Sequence, residues 1–331
     1  MKLNKIFTSN MVFAAGKPIR IYGYGSGEAV IRFGDTEKKV ASESDEWYTE
    51  LPAMQYGGPY TLAFESEGST TVLEDIYVGE VYLFAGQSNM QFKLGESSSD
   101  PKKCTAKPEI RMLNTDKIEK GERFALKDGW IKCGDGNIAD WSAIAYHTAI
   151  TLSDRKDIAV GAICCYQGAS VIESWVRSGL FAENGIVLTD EEKFIDHFEY
   201  SDWNGDGVIY SYALSQVIPF ALSGVVWYQG ESDSSLAESR IYKKELSLLI
   251  DHWRSGFKNE SLPFVVVQIA DFIGREGEPW SNIQKAQADI QNEKKKVISV
   301  RSADVCENDN IHPPTKDKLS IRIANALAEL V

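Results

Sequence analysis

Apolar and polar residues alternate in short runs through the first quarter of the chain, as in Pro18–Gly23, Glu28–Gly34, Trp47–Leu51 and Tyr60–Phe64. A period of two puts one face of each run in a core and the other in water, and turn residues such as Gly34-Asp35 and Gly57-Gly58-Pro59 separate the runs. The pattern predicts a small β-sandwich over residues 1–78. From Val81 the signature changes: Val81–Ala85, Ile158–Ile163, Gly224–Tyr228 and Phe264–Ile269 are short apolar runs of the kind expected for strands covered on both faces. Between them, Trp141–Leu152, Tyr242–Trp253 and Lys316–Leu330 repeat apolar residues at helical spacing. Buried strands alternating with helices predict an α/β domain with a parallel sheet over residues 79–331. Residues 176–209 are irregular and form an excursion from that sheet, and no internal repeat is visible.

Composition narrows the function. The chain has 331 residues, of which 43% are hydrophobic, enough for two cores. A net charge of −13 with no Lys/Arg cluster excludes a nucleic-acid partner, because binding to a phosphate backbone depends on clustered cations. The first ten residues lack the apolar run of a signal peptide, and no later run approaches the roughly 20 apolar residues of a membrane span. A cytoplasmic protein without a membrane partner is expected, or a secreted one if a leader was removed. Oligomeric state is not written in the sequence. Five cysteines, an odd number without Cys-x-x-Cys spacing, suggest reduced thiols instead of a disulfide framework or a zinc site.

Four segments carry candidate chemistry. In Phe84–Met90 a strand runs into Gly86-Gln87-Ser88-Asn89, which places Ser88 at a strand's carboxyl end, where active groups of open parallel sheets collect. Ser88 reads either as a nucleophile or as the cap of the following helix. A serine nucleophile needs a base, and only four histidines exist. His147 and His252 fall inside predicted helices and His197 in an acidic irregular stretch, whereas His312 lies in the loop Asn308–Pro314 just before the last helix. Asp309, three residues earlier, is placed to fold back and orient the imidazole, or is an ordinary turn aspartate. A third segment, Gly224–Asp233, ends a buried strand in polar residues. Gln229 offers an amide donor to a developing oxyanion, Glu231 is a second acid or a strand-end residue, and Asp233 is a helix cap. In the fourth, Ile163–Trp175, Gly168 either brings a bare backbone N–H to the substrate or simply turns the chain.

Taken in order, these blocks resemble the SGNH-type hydrolases, specifically the sialate O-acetylesterase and acetylxylan esterase family. The matching blocks are Gly-Gln-Ser-Asn-Met around Ser88, the glycine of Gly168 before Ile172-Glu-Ser-Trp175, Trp227-Tyr-Gln-Gly-Glu-Ser-Asp233, and Asp309-x-x-His312-Pro313. Ser9–Phe13, Pro18–Gly23 and Val78–Leu83 resemble the family's N-terminal part, so the likeness spans nearly the whole chain. It implies an SGNH (flavodoxin-like) three-layer α/β/α hydrolase domain behind the sandwich. It also implies a Ser88–His312–Asp309 triad acting on acetylated mono- or oligosaccharides without a cofactor. The oxyanion would be held by the Ser88 and Gly168 N–H groups and the Gln229 amide, with Gln87, Asn89 and Glu231 as further substrate-side residues. Gln229 stands where the superfamily usually has Asn, and Gln167-Gly168-Ala169 where relatives read Trp-Gly-Gly.

Two other readings stay open. Asp202-Trp-Asn204-Gly-Asp206-Gly207 fits the opening of a calcium loop, but its twelfth position is Ala213 where a bidentate Glu belongs, so an acidic turn is the alternative and any calcium would be structural. The many aromatic residues (8 Trp, 14 Tyr, 14 Phe) suit a sugar-binding protein without turnover.

Overall fold

A computed structural model describes residues 1–107, 109–115, 129–134, 138–189, 192–193 and 201–331. Its strands are β1 (Lys2–Leu3), β2 (Val12–Ala14), β3 (Ile19–Tyr24), β4 (Gly27–Phe33), β5 (Thr36–Ser42), β6 (Glu46–Leu51), β7 (Gly57–Ser66), β8 (Ser69–Gly86), β9 (Ile110–Asn114), β10 (Trp130–Lys132), β11 (Val160–Tyr166), β12 (Gly224–Tyr228), β13 (Phe264–Val267) and β14 (Val297–Val300). Its helices are α1 (Ser88–Gln91), α2 (Ala143–Lys156), α3 (Leu180–Glu183), α4 (Ser201–Asn204), α5 (Val208–Tyr212), α6 (Leu236–Gly256), α7 (Glu278–Glu293) and α8 (Asp317–Leu330).

The N-terminal strands form two facing layers. One is the antiparallel sheet β1-β3-β6; the other is β5-β4-β7 continuing into β8. Alternation does what the sequence predicts: in β6 Trp47, Thr49 and Leu51 are buried while Glu46, Tyr48 and Glu50 face water. Trp47 stacks on Phe64 across the gap at 5.5 Å between ring centres. Arg20 and Tyr22 fasten this unit to the rest of the chain. Arg20 donates to the carbonyls of Pro219 at 3.2 Å and Lys258 at 3.1 Å and to that of Phe257, and the Tyr22 hydroxyl donates to the Val217 carbonyl at 3.0 Å.

β8 is a single unbroken strand whose partners change along its length. Up to Val78 it pairs with β7, and from Glu80 it pairs with β11 and then also β12. The expected boundary between residues 78 and 79 therefore falls inside a strand, at the change of partners. Beyond it the order is β10-β9-β11-β8-β12-β13-β14, parallel throughout except for β10 at the edge. β12 and β13 are buried at every residue, so helices cover both faces, α2 packing with α8 and α6 with α7. The fold is the expected α/β class. β8 is the first of the parallel strands in sequence yet lies centrally, with β11 on one side and β12 on the other, so the chain reverses its winding direction there. The crevice at such a switch point is where open α/β sheets bind ligands.

Gly86 closes β8 because nothing larger fits. Its φ is +144°, and a Cβ there would lie 2.0 Å from the Tyr228 carbonyl oxygen. All five cysteines carry free thiols, with Cys133, Cys164 and Cys165 buried. No helix among the described residues is long and apolar enough to cross a membrane.

Candidate active site

The ends of three adjacent strands stand level. Tyr166 of β11 and Tyr228 of β12 both pair with Gly86 of β8, so the segments beginning at Gln87, Gln167 and Gln229 leave the sheet side by side. Ser88 opens α1 immediately after β8. His312 arrives from the far edge, in the crossing between β14 and α8, and its Nε2 lies 2.7 Å from Ser88 Oγ although 224 positions separate the two. Both side chains are half-buried, and the imidazole lies against the Phe92 ring at 6.3 Å. Burial pushes the imidazole below its ordinary 6.5, and the Lys316 ammonium pushes the same way, opposed by Glu96.

The other histidines lie elsewhere. His147 shares a 2.8 Å hydrogen bond with the Ser99 hydroxyl, and His252 accepts from the Arg177 N–H at 3.2 Å. His197 lies outside the described residues.

Asp309 does not take the expected third place. Its side chain is exposed, no hydrogen bond joins it to the ring, and it is not among the charges that act on the imidazole. The backbone explains why: Asn310 Oδ1 accepts the His312 N–H at 2.9 Å, and the Asn308 carbonyl accepts the Ile273 N–H at 2.9 Å. With the chain held on both sides, Asp309 is turned outward.

Gly168 lies beside Ser88. A Cβ on it would lie 3.7 Å from Ser88 Cβ, and its N–H donates at 3.1 Å to the Gln91 carboxamide oxygen. Gln91 sits one turn after Ser88 and went unnoticed in the sequence.

Gln229 is a correction. It is completely buried, and its two amide hydrogens go to the Ser170 carbonyl at 2.8 Å and to the Asp233 carboxylate, while its oxygen accepts from Tyr242 at 2.9 Å. An amide with both hydrogens engaged has none for an oxyanion. Asp233 is likewise no simple cap: Oδ1 accepts the Ile172 N–H at 3.1 Å. Gln229 and Asp233 hold the loop that carries Gly168. Asn204 holds the same loop, accepting from the Val171 N–H at 3.0 Å and donating to the Ala169 carbonyl at 2.8 Å.

That use of Asn204 also changes the calcium reading. Asp206 Oδ2 accepts from the Ser178 hydroxyl and the Gly179 N–H, both at 2.7 Å, Asp202 is exposed, and α4 occupies the start of the supposed loop. Asn204 Oδ1 and Asp206 Oδ2 are thus taken up by backbone and hydroxyl donors. Among the described residues no group of three or more His, Cys, Asp and Glu side chains could hold a metal.

Gln87, Asn89 and Glu231 are at most 3% exposed and face inward. Gln87 Oε1 accepts the Gly230 N–H at 3.1 Å. Asn89 Nδ2 donates to Glu231 Oε1 at 2.6 Å and to the Ile311 carbonyl at 2.9 Å, and Asn89 Oδ1 accepts from Lys316 Nζ at 2.6 Å. The structure therefore brings together Ser88, His312, Gly168 and Gln91 as the partly open group, with Asn89, Glu231 and Lys316 as a buried layer behind it.

The family model for carbohydrate esterases of the sialic acid-specific acetylesterase type matches residues 78–330. The chain belongs to this carbohydrate esterase family. Among its relatives, the sialate O-acetylesterase of Homo sapiens is 26% identical, over 93% of this chain and 67% of that one. A probable carbohydrate esterase of Arabidopsis thaliana is 21% identical, over 80% of this chain and 95% of its own. A carbohydrate acetylesterase from Xanthomonas citri has the same fold, with a TM-score of 0.86 at 23% identity over 99% of this chain and 74% of that one. The resemblance drawn from the ordered sequence blocks and the family model agree, and the esterase fold extends through the N-terminal strands.

Proposed function

We propose that this family member removes acetyl groups from sugars, with residues 79–331 as its catalytic unit, Ser88 as nucleophile and His312 as base. The 2.7 Å contact between Ser88 Oγ and His312 Nε2 carries the reading. In the first step Oγ bonds to the acetyl carbonyl carbon while its proton passes to Nε2. The negative charge that develops on the carbonyl oxygen is met by the N–H groups of Ser88 and Gly168; the Gly168 N–H donates at 3.1 Å to the Gln91 carboxamide oxygen, and in the reaction that side chain gives way to the substrate oxygen. Collapse breaks the bond to the sugar oxygen, which takes the proton from His312. Water then attacks the acetyl-Ser88 ester, its proton again going to Nε2, and acetate leaves with Oγ reprotonated.

The test is acetate release from O-acetylated sialic acid, acetylated xylo-oligosaccharides and simple acetylated hexoses. Release from at least one is expected. Release from none, with glycans still bound, would return the chain to the sugar-binding alternative.

Two further expectations follow from the geometry. Because the base must be neutral and both burial and Lys316 disfavour the imidazolium, the rising limb of kcat/KM against pH is expected below 6.5. A limb above 6.5 would contradict this placement. Asp309→Asn is expected to lower kcat less than about tenfold, since an outward carboxylate adds little to the ring's orientation. A loss of roughly 10⁴-fold, the cost of removing a true orienting aspartate, would show that the side chain turns inward during turnover.

A further inference from the structure

The layer behind Ser88 contains a lysine that neither the block resemblance nor the proposed reaction uses. Lys316 lies at the start of α8 and is fully buried. Its ammonium donates to Asn89 Oδ1 at 2.6 Å and sits over two rings, 5.0 Å from the centre of Phe92 and 5.5 Å from that of Tyr228. Asn89 follows the proposed nucleophile directly, and its other amide atom holds both Glu231 Oε1 and the carbonyl of Ile311, the residue before the proposed base.

We infer that Lys316 is a positioning residue for this site: through Asn89 it fixes the Ile311–His312 segment against Ser88, and its charge, beside Phe92, bears on the His312 imidazole. The inference rests on the reading of Ser88 and His312 given above. Asn89 has one carboxamide with which to do this, and its orientation is set by its neighbours. A cation at the oxygen end and a carboxylate at the nitrogen end allow only the rotamer that turns the NH₂ group toward Ile311. With the amide reversed, the carbonyl of Ile311 would meet an oxygen and the His312 loop would lose its tether. Phe92 meets both partners, its ring centre 6.3 Å from that of His312 and 5.0 Å from the Lys316 ammonium.

The groups facing this layer come from several elements. Glu231, Glu307 and Cys306 act on Lys316, Arg275 acts on Glu231, and Lys316 and Glu96 act on His312. Burial brings the Lys316 ammonium down to about 8, so it still carries most of its charge at neutral pH. A buried positive charge disfavours a second one nearby, so removing it raises the histidine's proton affinity and moves the rising limb of kcat/KM to higher pH.

Lys316→Met alone leaves the buried Glu231 without one of the two cations that act on it, and that variant is prone to misfold. The decisive variant is Lys316→Met combined with Glu231→Gln, which removes both charges at once. The double variant is expected to fold, to lose roughly ten- to a hundredfold in kcat with KM nearly unchanged, and to show its rising limb roughly half a pH unit higher or more. Asn89→Ala, which keeps both charges, is expected to lower kcat without moving the limb upward. A merely structural lysine would change the yield or melting temperature and leave both the limb and the kcat of the folded fraction alone. Folded double and Asn89→Ala variants with wild-type kcat and limb would overturn the inference. Absence of esterase turnover in the wild-type chain would instead remove the reading on which it rests.

Discussion

Replacing Ser88 by alanine is expected to lower kcat/KM for acetate release by roughly 10⁴-fold or more, a loss of about 5 kcal/mol of transition-state stabilisation. The size follows from what the hydroxyl does. In the proposed reaction it forms the covalent bond and gives up its proton to His312 across the 2.7 Å contact, and among the described residues no other hydroxyl bonds to that nitrogen. What remains after its loss comes from the Gly168 N–H and substrate binding, which act without a nucleophile. The folded state should be nearly unaffected, because Ser88 is half-buried and, among the described residues, its hydroxyl bonds to the imidazole alone. A melting temperature within a few degrees of wild type would separate lost chemistry from lost structure. A residual rate within tenfold of wild type would place the nucleophile elsewhere.

The second large effect concerns the fold beneath the site. Trp227 in β12 is fully buried between two other tryptophans, meeting Trp175 edge-on at 5.3 Å and Trp253 edge-on at 5.4 Å. Trp227→Ala removes a large ring from the centre of this stack, where the sheet, the segment after Gly168 and α6 meet. Such a truncation costs roughly 3–5 kcal/mol, from lost burial and from a cavity that rigid neighbours do not fill. For a unit of this size the melting temperature should drop by roughly 10 °C, as read by calorimetry. The change should also reach the site, because the indole N–H donates at 3.4 Å to the Tyr242 hydroxyl, which in turn holds Gln229, and Gln229 holds the Gly168 loop. A drop below about 2 °C would mean that the stack repacks and contributes little.

The sequence revealed those parts of the molecule whose signal is local. The alternation at Trp47–Leu51 and the apolar runs of β8, β11, β12 and β13 are the burial pattern itself, since a strand covered on both faces favours near-continuous apolar residues. Ser88 and His312 could be chosen because one ends a strand and the other is the loop histidine left after those inside helices were set aside. α7 was missed although Trp280, Ile283, Gln287 and Ile290 mark a buried stripe, because Gln287 interrupts the apolar pattern. That glutamine is buried to hold the Ile269 N–H and the Gln229 carbonyl.

The buried polar layer was illegible for a different reason. Gln229 looks like an oxyanion donor until both of its hydrogens are traced to Ser170 and Asp233, and Ser170 lies 59 positions away. Long-range pairing of this kind leaves no trace in a run of residues. Asp309 was read from its distance to His312 along the chain, yet the hydrogen bonds of Asn308 and Asn310 decide which way it faces. Lys316 did leave a hint. It precedes Leu319, Ser320 and Ile323 on the buried stripe of α8, and a lysine in phase with core residues needs a partner inside.

The central claim is a reactive Ser88 with His312 as its base, and active-site labelling tests it most directly. A fluorophosphonate applied to the folded wild-type chain, followed by peptide mass spectrometry, should give one adduct, on Ser88. Its rate of formation should rise with pH through the histidine's titration and fall at least a hundredfold in His312→Ala. An unlabelled Ser88 in a chain that still hydrolyses the ester, or a label on another residue that abolishes turnover, would contradict the account.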